Sequence, residues 1–233
     1  MEIIAEIGQN HNGDMELAKD LIAAAKESGA DVAKFQVFDA LSTFGKMNNP
    51  WFDYHCKTQL SADNVNFLAD ECKKNDIEFM ASVFDIKLIG LLEDVSVKRY
   101  KIASRSIYDK KLIEVLLQIN KPLIISLGHW KEKILPKFNS NSTIDYLYCI
   151  SKYPTKISEI NFNSIDFDAY SGFSDHTLGV SASIYAMLKG ARIIEKHFTI
   201  DKNLYGPDQA LSITPAELSI LTQFKKDLID LKK

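Results

Sequence analysis

Apolar positions along this chain fall into two alternating kinds of segment. Short runs dense in branched and aromatic residues are followed by longer stretches in which apolar residues recur every three or four positions. The first kind reads as buried parallel strands, the second as amphipathic helices. Residues 2–8 form the first strand, and 9–14 a polar turn with Asp14 as helix N-cap. A helix is expected over 15–27, with Leu17, Leu21, Ala24 and Ala25 on its apolar face and Ser28-Gly29 closing it.

Further strands are expected over 31–36, 77–82, 97–103, 122–128 and 143–150. A seventh ends at Ser174-Asp175 and an eighth covers 191–198. Helices are expected over 61–74, 85–94, 108–119, 130–138 and 178–188. A last helix opens at Thr214-Pro215-Ala216-Glu217, which supplies an N-cap, a first-turn proline and an acidic residue. Residues 158–167 are weakly patterned. Residues 37–59 show no clear period and carry Trp51, Phe52, Tyr54 and His55. A long irregular loop is uncommon in one domain and often functional, so a lid over a site is expected there.

Eight strands alternating with helices over 1–233 predict a single domain, an α/β protein of the (β/α)8 TIM-barrel class. The same count suits an open doubly wound sheet, but no glycine-rich dinucleotide fingerprint follows the first strand.

Composition narrows the function classes. With 46% apolar and 25% charged residues and a net charge of −3, nothing favours nucleic acid or an anionic membrane as partner. No apolar run reaches membrane-span length and the first strand begins at once, so neither a span nor a leader is expected. Cys56, Cys72 and Cys149 lie far apart without metal-knuckle spacing, which fits reduced thiols in a cytoplasm.

In a barrel, the C-terminal strand ends meet at one mouth. The residues placed there are Glu6, Lys34, Gln36, Ser82, Lys101, Ser104, Arg105, Ser126, Tyr153, Ser174, Asp175, His176, Glu195 and His197. Two strand-end histidines beside Asp175, Glu195 and Asp208 make a nitrogen and oxygen set that suits a first-row divalent metal. A single such histidine is more commonly structural or solvated. Alternation puts Glu195 and His197 on one strand face and Lys196 on the other. Lys34 and Lys101 are costly inside a barrel without counter-charges. Together with the hydroxyls they suit a small phosphorylated carboxylate. A Schiff-base lysine or a lysine extending to solvent are the alternatives.

Several motifs, in order along nearly the whole chain, resemble the sialic acid synthases. They are Ala5-Glu6-Ile7-Gly8 with Asn10-His11-Asn12-Gly13, Gly29-Ala30-Asp31-Val32-Ala33-Lys34-Phe35-Gln36, and Tyr100-Lys101-Ile102-Ala103-Ser104. Tyr153-Pro154-Thr155, Gly172-Phe173-Ser174-Asp175-His176-Thr177-Leu178-Gly179, Glu195-Lys196-His197-Phe198-Thr199 and Gly206-Pro207-Asp208 continue the series. The resemblance implies a metal-dependent enzyme that condenses phosphoenolpyruvate with an open-chain amino sugar such as N-acetylmannosamine. By the same resemblance His176 and His197 hold a divalent metal, with manganese the first expectation and magnesium or cobalt the alternatives. Lys34, Gln36, Lys101, Ser104, Ser126, Tyr153 and Ser174 grip phosphoenolpyruvate, Glu195 and Asp208 bind sugar hydroxyls, and Glu6 is the candidate acid or base. The expected partners are these two small molecules, and a homo-oligomer is compatible with the pattern.

Three features depart from the family. Arg105 stands where a glutamate follows the Lys-Ile-x-Ser run, and Ser151 replaces an asparagine before the Tyr-Pro motif. The family's C-terminal antifreeze-like domain, which supplies an arginine to the sugar, does not follow in this sequence. Arg105 is therefore expected to take over part of that role, its guanidinium serving sugar hydroxyls or a phosphate. The rival readings are a synthase of another 3-deoxy-ulosonate from a different or phosphorylated aldose, a barrel that has lost catalysis and works with a partner, and a Schiff-base aldolase.

Overall fold

Apolar residues at successive positions, as in Ile3-Ile4 and Ile193-Ile194, put apolar side chains on both faces of a strand, and a strand of that kind is stable only when both faces are covered. In the computed structural model, which describes residues 1–232, eight parallel strands meet that condition by closing into a barrel in sequence order. They are β1 (Glu2–Gly8), β2 (Val32–Val37), β3 (Glu78–Val83), β4 (Tyr100–Ile102), β5 (Leu123–Ser126), β6 (Ile144–Cys149), β7 (Gly172–Asp175) and β8 (Ile193–His197). The α-helices are α1 (Met15–Glu27), α2 (Ala40–Phe44), α3 (Phe52–Thr58), α4 (Ala62–Lys74), α5 (Ile89–Asp94), α6 (Lys110–Ile119), α7 (Ser181–Leu188) and α8 (Pro215–Leu231).

The outward strand faces and the helices form one large apolar layer, in which Ile3, Phe35, Tyr100, Phe173 and Ile194 are all but inaccessible. The barrel interior is separate and stratified. Ile4, Val32, Met80, Ile124, Leu147 and Ile193 plug its lower half. Two residues further along the strands, alternation brings Glu6, Lys34, Ser82, Ser126 and Glu195 to the same inner side. Glu6 pairs in register with Lys34 on one side and His197 on the other, and Ser82 pairs with Lys101. The apolar plug thus becomes the floor of a polar chamber. Close approach of β7 to β8 depends on Gly172, where a β-carbon would lie 2.0 Å from the Ile193 carbonyl oxygen.

Local sequence explains most helix boundaries. Asp14 accepts from the Glu16 and Leu17 amides at the start of α1, and Thr214 with Glu217 forms a reciprocal capping box on α8. Three expectations need correction. The segment 37–59 is not irregular: α2 and α3 lie within it, α2 being capped by Asp39. No helix forms over 130–138, although Trp130, Ile134 and Phe138 have helical spacing. Pro136 removes a backbone donor there, and the Trp130 indole and Tyr146 hydroxyl bond the Ile134 and Pro136 carbonyls instead. α7 starts at Ser181 because Gly179 adopts a left-handed backbone, φ +69°, that a helix cannot contain. Among the described residues, no helix is long and apolar enough to cross a membrane. All three cysteines are free thiols.

Candidate active site

Two connected chambers open at the C-terminal ends of the strands. The inner one, about 60 Å³, is walled by Glu6, Lys34, Gln36, Ser82, Phe84, Lys101, Ala103, Ser104, Ser126, Cys149, Tyr153, Ser174, His176, Glu195 and His197. The outer one, about 460 Å³, is bounded by Gln9, Phe44, Trp51, His55, Arg105, His129, Ser151, Pro207 and Asp208. Gln36, Phe84, Ala103, Ser104, Tyr153 and His197 face both chambers.

Four buried charges occupy the inner floor. Lys34 Nζ lies 2.6 Å from Glu6 Oε2 and 3.3 Å from Glu195 Oε2, and it donates to Ser82 Oγ at 3.0 Å. Lys101 Nζ lies 3.6 Å from Glu195 Oε1 and donates to Ser126 Oγ at 2.8 Å. Ser174 Oγ donates to Glu195 Oε1 at 2.8 Å. Two ammonium and two carboxylate groups cancel formally, which makes the burial of all four tolerable. The lysines are not equivalent. Burial alone would lower the Lys34 pKa, but Glu195 and Glu6 outweigh it and raise it. For Lys101 burial prevails over the pull of Glu195, and its pKa is lowered. Burial opposes the charged form of Glu195, and Lys101 and Lys34 overcome that and keep it ionised.

Both histidines reach the chamber wall. Their ring centroids are 5.7 Å apart, and the Tyr153 ring lies 4.1 Å from that of His176. His176 Nδ1 sits 2.8 Å from the Ile150 carbonyl oxygen, so it carries the proton and leaves Nε2 as an acceptor. Burial, then the neighbouring His197, pulls the His176 pKa down to about 4 and keeps the ring neutral at physiological pH. His197 Nδ1 is buried without a hydrogen-bond partner, 3.9 Å from Asp208 Oδ2. Two imidazoles, one with an orphaned nitrogen, fit a divalent cation held by both. No group of three or more histidine, cysteine or acidic side chains gathers around one point among the described residues. Such a cation would therefore take its remaining ligands from substrate and water.

Most of the expected site residues are brought together, with two differences of place. Glu195 lies on the inner floor between the lysines, whereas Asp208 borders the outer chamber. Asp175 is not at the mouth. Its neighbours Ser174 and His176 point inward, so Asp175 points outward, where it pairs with Lys196 at 3.0 Å and accepts from Ser183 Oγ at 2.5 Å. Arg105 lies at the outer chamber, donating to the Thr43 carbonyl with its guanidinium 4.7 Å from the Phe44 ring centre. Sequence reasoning missed Gln9, Phe84, His129 and Cys149. The first three fall within three residues of a strand's C-terminal end, a position that marks the mouth of any barrel.

Comparison with known proteins gives the family. Residues 21–230 match the NeuB family. The chain belongs to that family. A relative named N,N'-diacetyllegionaminic acid synthase, from Legionella pneumophila, is 37% identical over 254 residues, spanning 97% of this chain and 71% of its own. An N-acetylneuraminate-9-phosphate synthase of Drosophila melanogaster is 34% identical, covering 94% of this chain and 66% of its own. Among solved structures, an N-acetylneuraminic acid synthetase from Leptospira borgpetersenii superposes with a TM-score of 0.90 at 28% identity, over 98% of this chain and 84% of that one. This NeuB-family enzyme thus shares the barrel fold of a sialic acid synthetase.

Proposed function

We propose that this chain condenses phosphoenolpyruvate with an open-chain amino sugar, N-acetylmannosamine or a related acetamido aldose, to give a nonulosonate and inorganic phosphate. The observation that carries the reading is the nesting of the chambers. A small chamber with two lysines and four serines suits a compact phosphorylated carboxylate, and a larger one suits a sugar chain. Tyr153 and His197 border both and mark where the two substrates would meet.

Lys34 and Lys101 would take the donor's carboxylate and phosphate, assisted by Ser82, Ser126 and Ser174. The inner floor is formally neutral, so a donor anion must exchange its charge against the existing pairs. Carbon 3 of phosphoenolpyruvate forms a bond to the aldehyde carbon with the enol π electrons, and the aldehyde oxygen takes a proton from solvent. The cation at carbon 2 is stabilised by Glu6 and Glu195. Water bonds to carbon 2, giving up a proton to Glu6 as general base, and the carbon 2–oxygen bond to phosphate breaks. His176 and His197 would hold a divalent metal, manganese first among the candidates, which supplies Lewis-acid polarisation of the aldehyde when bound. Asp208 is placed to accept from acceptor hydroxyls.

Arg105 favours a second acceptor class. Its partners are a carbonyl and the Phe44 and Phe84 rings, and none is a carboxylate. A guanidinium so placed suits an acceptor phosphate. The reaction is tested with phosphoenolpyruvate carrying oxygen-18 in its bridging position. The label is expected in the released phosphate; its retention in the organic product would exclude cleavage at carbon 2.

A further inference from the structure

Three side chains of α3 converge on one residue. The Tyr54 hydroxyl donates to the Gln9 carbonyl at 2.8 Å, while His55 Nδ1 and Thr58 Oγ1 reach Gln9 Oε1 at 2.7 and 2.8 Å. Gln9 is buried just past β1, so the short helix that walls the outer chamber is moored to the barrel there. The other end of the same amide faces inward. Gln9 Nε2 donates to Gln36 Oε1 at 3.3 Å, and Gln36 Nε2 donates to Glu6 Oε1 at 2.8 Å. Glu6 Oε2 in turn lies 2.6 Å from Lys34. An unbroken amide–amide–carboxylate series thus joins the outer wall to the inner floor. Gly8 makes room for its middle link. At φ +55°, a β-carbon there would fall 3.0 Å from Gln36 Nε2 and 3.1 Å from Glu6 Oε1.

Lys34 has three N–H groups and three neighbours for them: Ser82, Glu6 and Glu195. An entering phosphate or carboxylate oxygen must displace one. Glu195 Oε1 is held by both Lys101 and Ser174, whereas Glu6 Oε1 is held by the neutral Gln36 amide alone. Glu6 is therefore the group that yields, and Gln36 turns with it.

We infer that Gln9 is a positioning residue that couples the chambers: an anion on Lys34 resets α3 through Glu6, Gln36 and Gln9, and so shapes the acceptor wall. The inference rests on the inner chamber being the phosphoenolpyruvate site. Linkage makes the coupling reciprocal, so an acceptor seated against α3 changes donor binding by the same factor as the donor changes acceptor binding.

Trp51 provides the readout. It precedes α3 and lines the outer chamber, and the chain's second tryptophan, Trp130, lines a different surface groove. In a Trp130→Phe background with manganese present, phosphoenolpyruvate is titrated by calorimetry and by Trp51 emission. The heat and the emission shift are expected to share one midpoint. In Gln9→Met and in the His55→Phe/Thr58→Val double variant, calorimetric affinity is expected to stay within about fivefold while the emission shift vanishes. The His55→Phe/Thr58→Val double variant removes both α3 partners of the Gln9 amide oxygen and leaves Gln9 bonded to Gln36, so it separates lost coupling from a misfolded Gln9 variant. Donor binding without any Trp51 change in the parent, or a shift surviving in both variants, overturns the coupling. No donor binding in the parent overturns the inner-chamber reading, and the coupling with it.

Discussion

Lys196 and Asp175 form an ion pair of 3.0 Å that is inaccessible to solvent, on the outward side of the strand ends whose inward side carries Glu195, His197 and Ser174. Lys196 also donates to the Thr177 carbonyl at 2.5 Å, and Asp175 accepts from the Thr177 amide at 2.8 Å. The pair therefore ties β8 to the turn that follows β7, fixing the spacing of the two histidines. Removing one partner leaves the other charge buried alone. Lys196→Met is expected to cost about 3–5 kcal/mol in urea unfolding. The double variant with Asp175→Leu should recover part of that loss. Weaker binding of a divalent cation by the double variant, measured calorimetrically, would show that the pair also sets the histidine spacing.

Lys101 is the less compensated inner lysine, with one carboxylate at 3.6 Å against two for Lys34. Its loss should fall on the donor. Lys101→Met is expected to raise the KM for phosphoenolpyruvate roughly 10- to 100-fold, the worth of a charged hydrogen bond. The acceptor KM should change far less, which steady-state kinetics with each substrate varied will read.

Arg105 borders only the outer chamber, so the opposite split is expected of it. Arg105→Ala should raise the acceptor KM by about tenfold and leave the KM for phosphoenolpyruvate within about twofold. An unchanged acceptor KM would remove Arg105 from acceptor binding.

How much of this was legible in the sequence differs by element. The strands were, because runs such as Ile193-Ile194-Glu195 need burial on both faces in any fold. Alternation that placed Lys196 outward would have placed Asp175 outward too, had it been carried one strand back from Ser174 and His176. The stretch 130–138 has genuine helical spacing, but a helix there would leave the Glu132 carbonyl without a donor, because Pro136 has no N–H, and pattern alone does not weigh that. The nested chambers were not legible. Gln9, Phe84 and His129 follow three different strands, and only closure of the barrel brings them to one wall.

Acid should destabilise the fold in a defined window. Burial pulls His11 and His176 down to about 4, against an ordinary 6.5. The unfolded chain then binds more protons than the native one between those values. Both contributions are complete above pH 6.5 and are lost as pH falls towards 4, up to about 3 kcal/mol each. Urea midpoints at successive pH values should drop across that window, and His11→Asn should flatten the profile. A midpoint constant from pH 7 to pH 4.5 would contradict these burials.

The most direct measurement is phosphate release from phosphoenolpyruvate with a panel of aldoses, with and without a chelator. Release that requires both one acetamido aldose and a divalent cation, and that falls by about two orders of magnitude or more in His197→Ala, is the expected result. Release independent of any aldose, or undiminished by chelation and by His197→Ala, would contradict the condensing site described for these chambers.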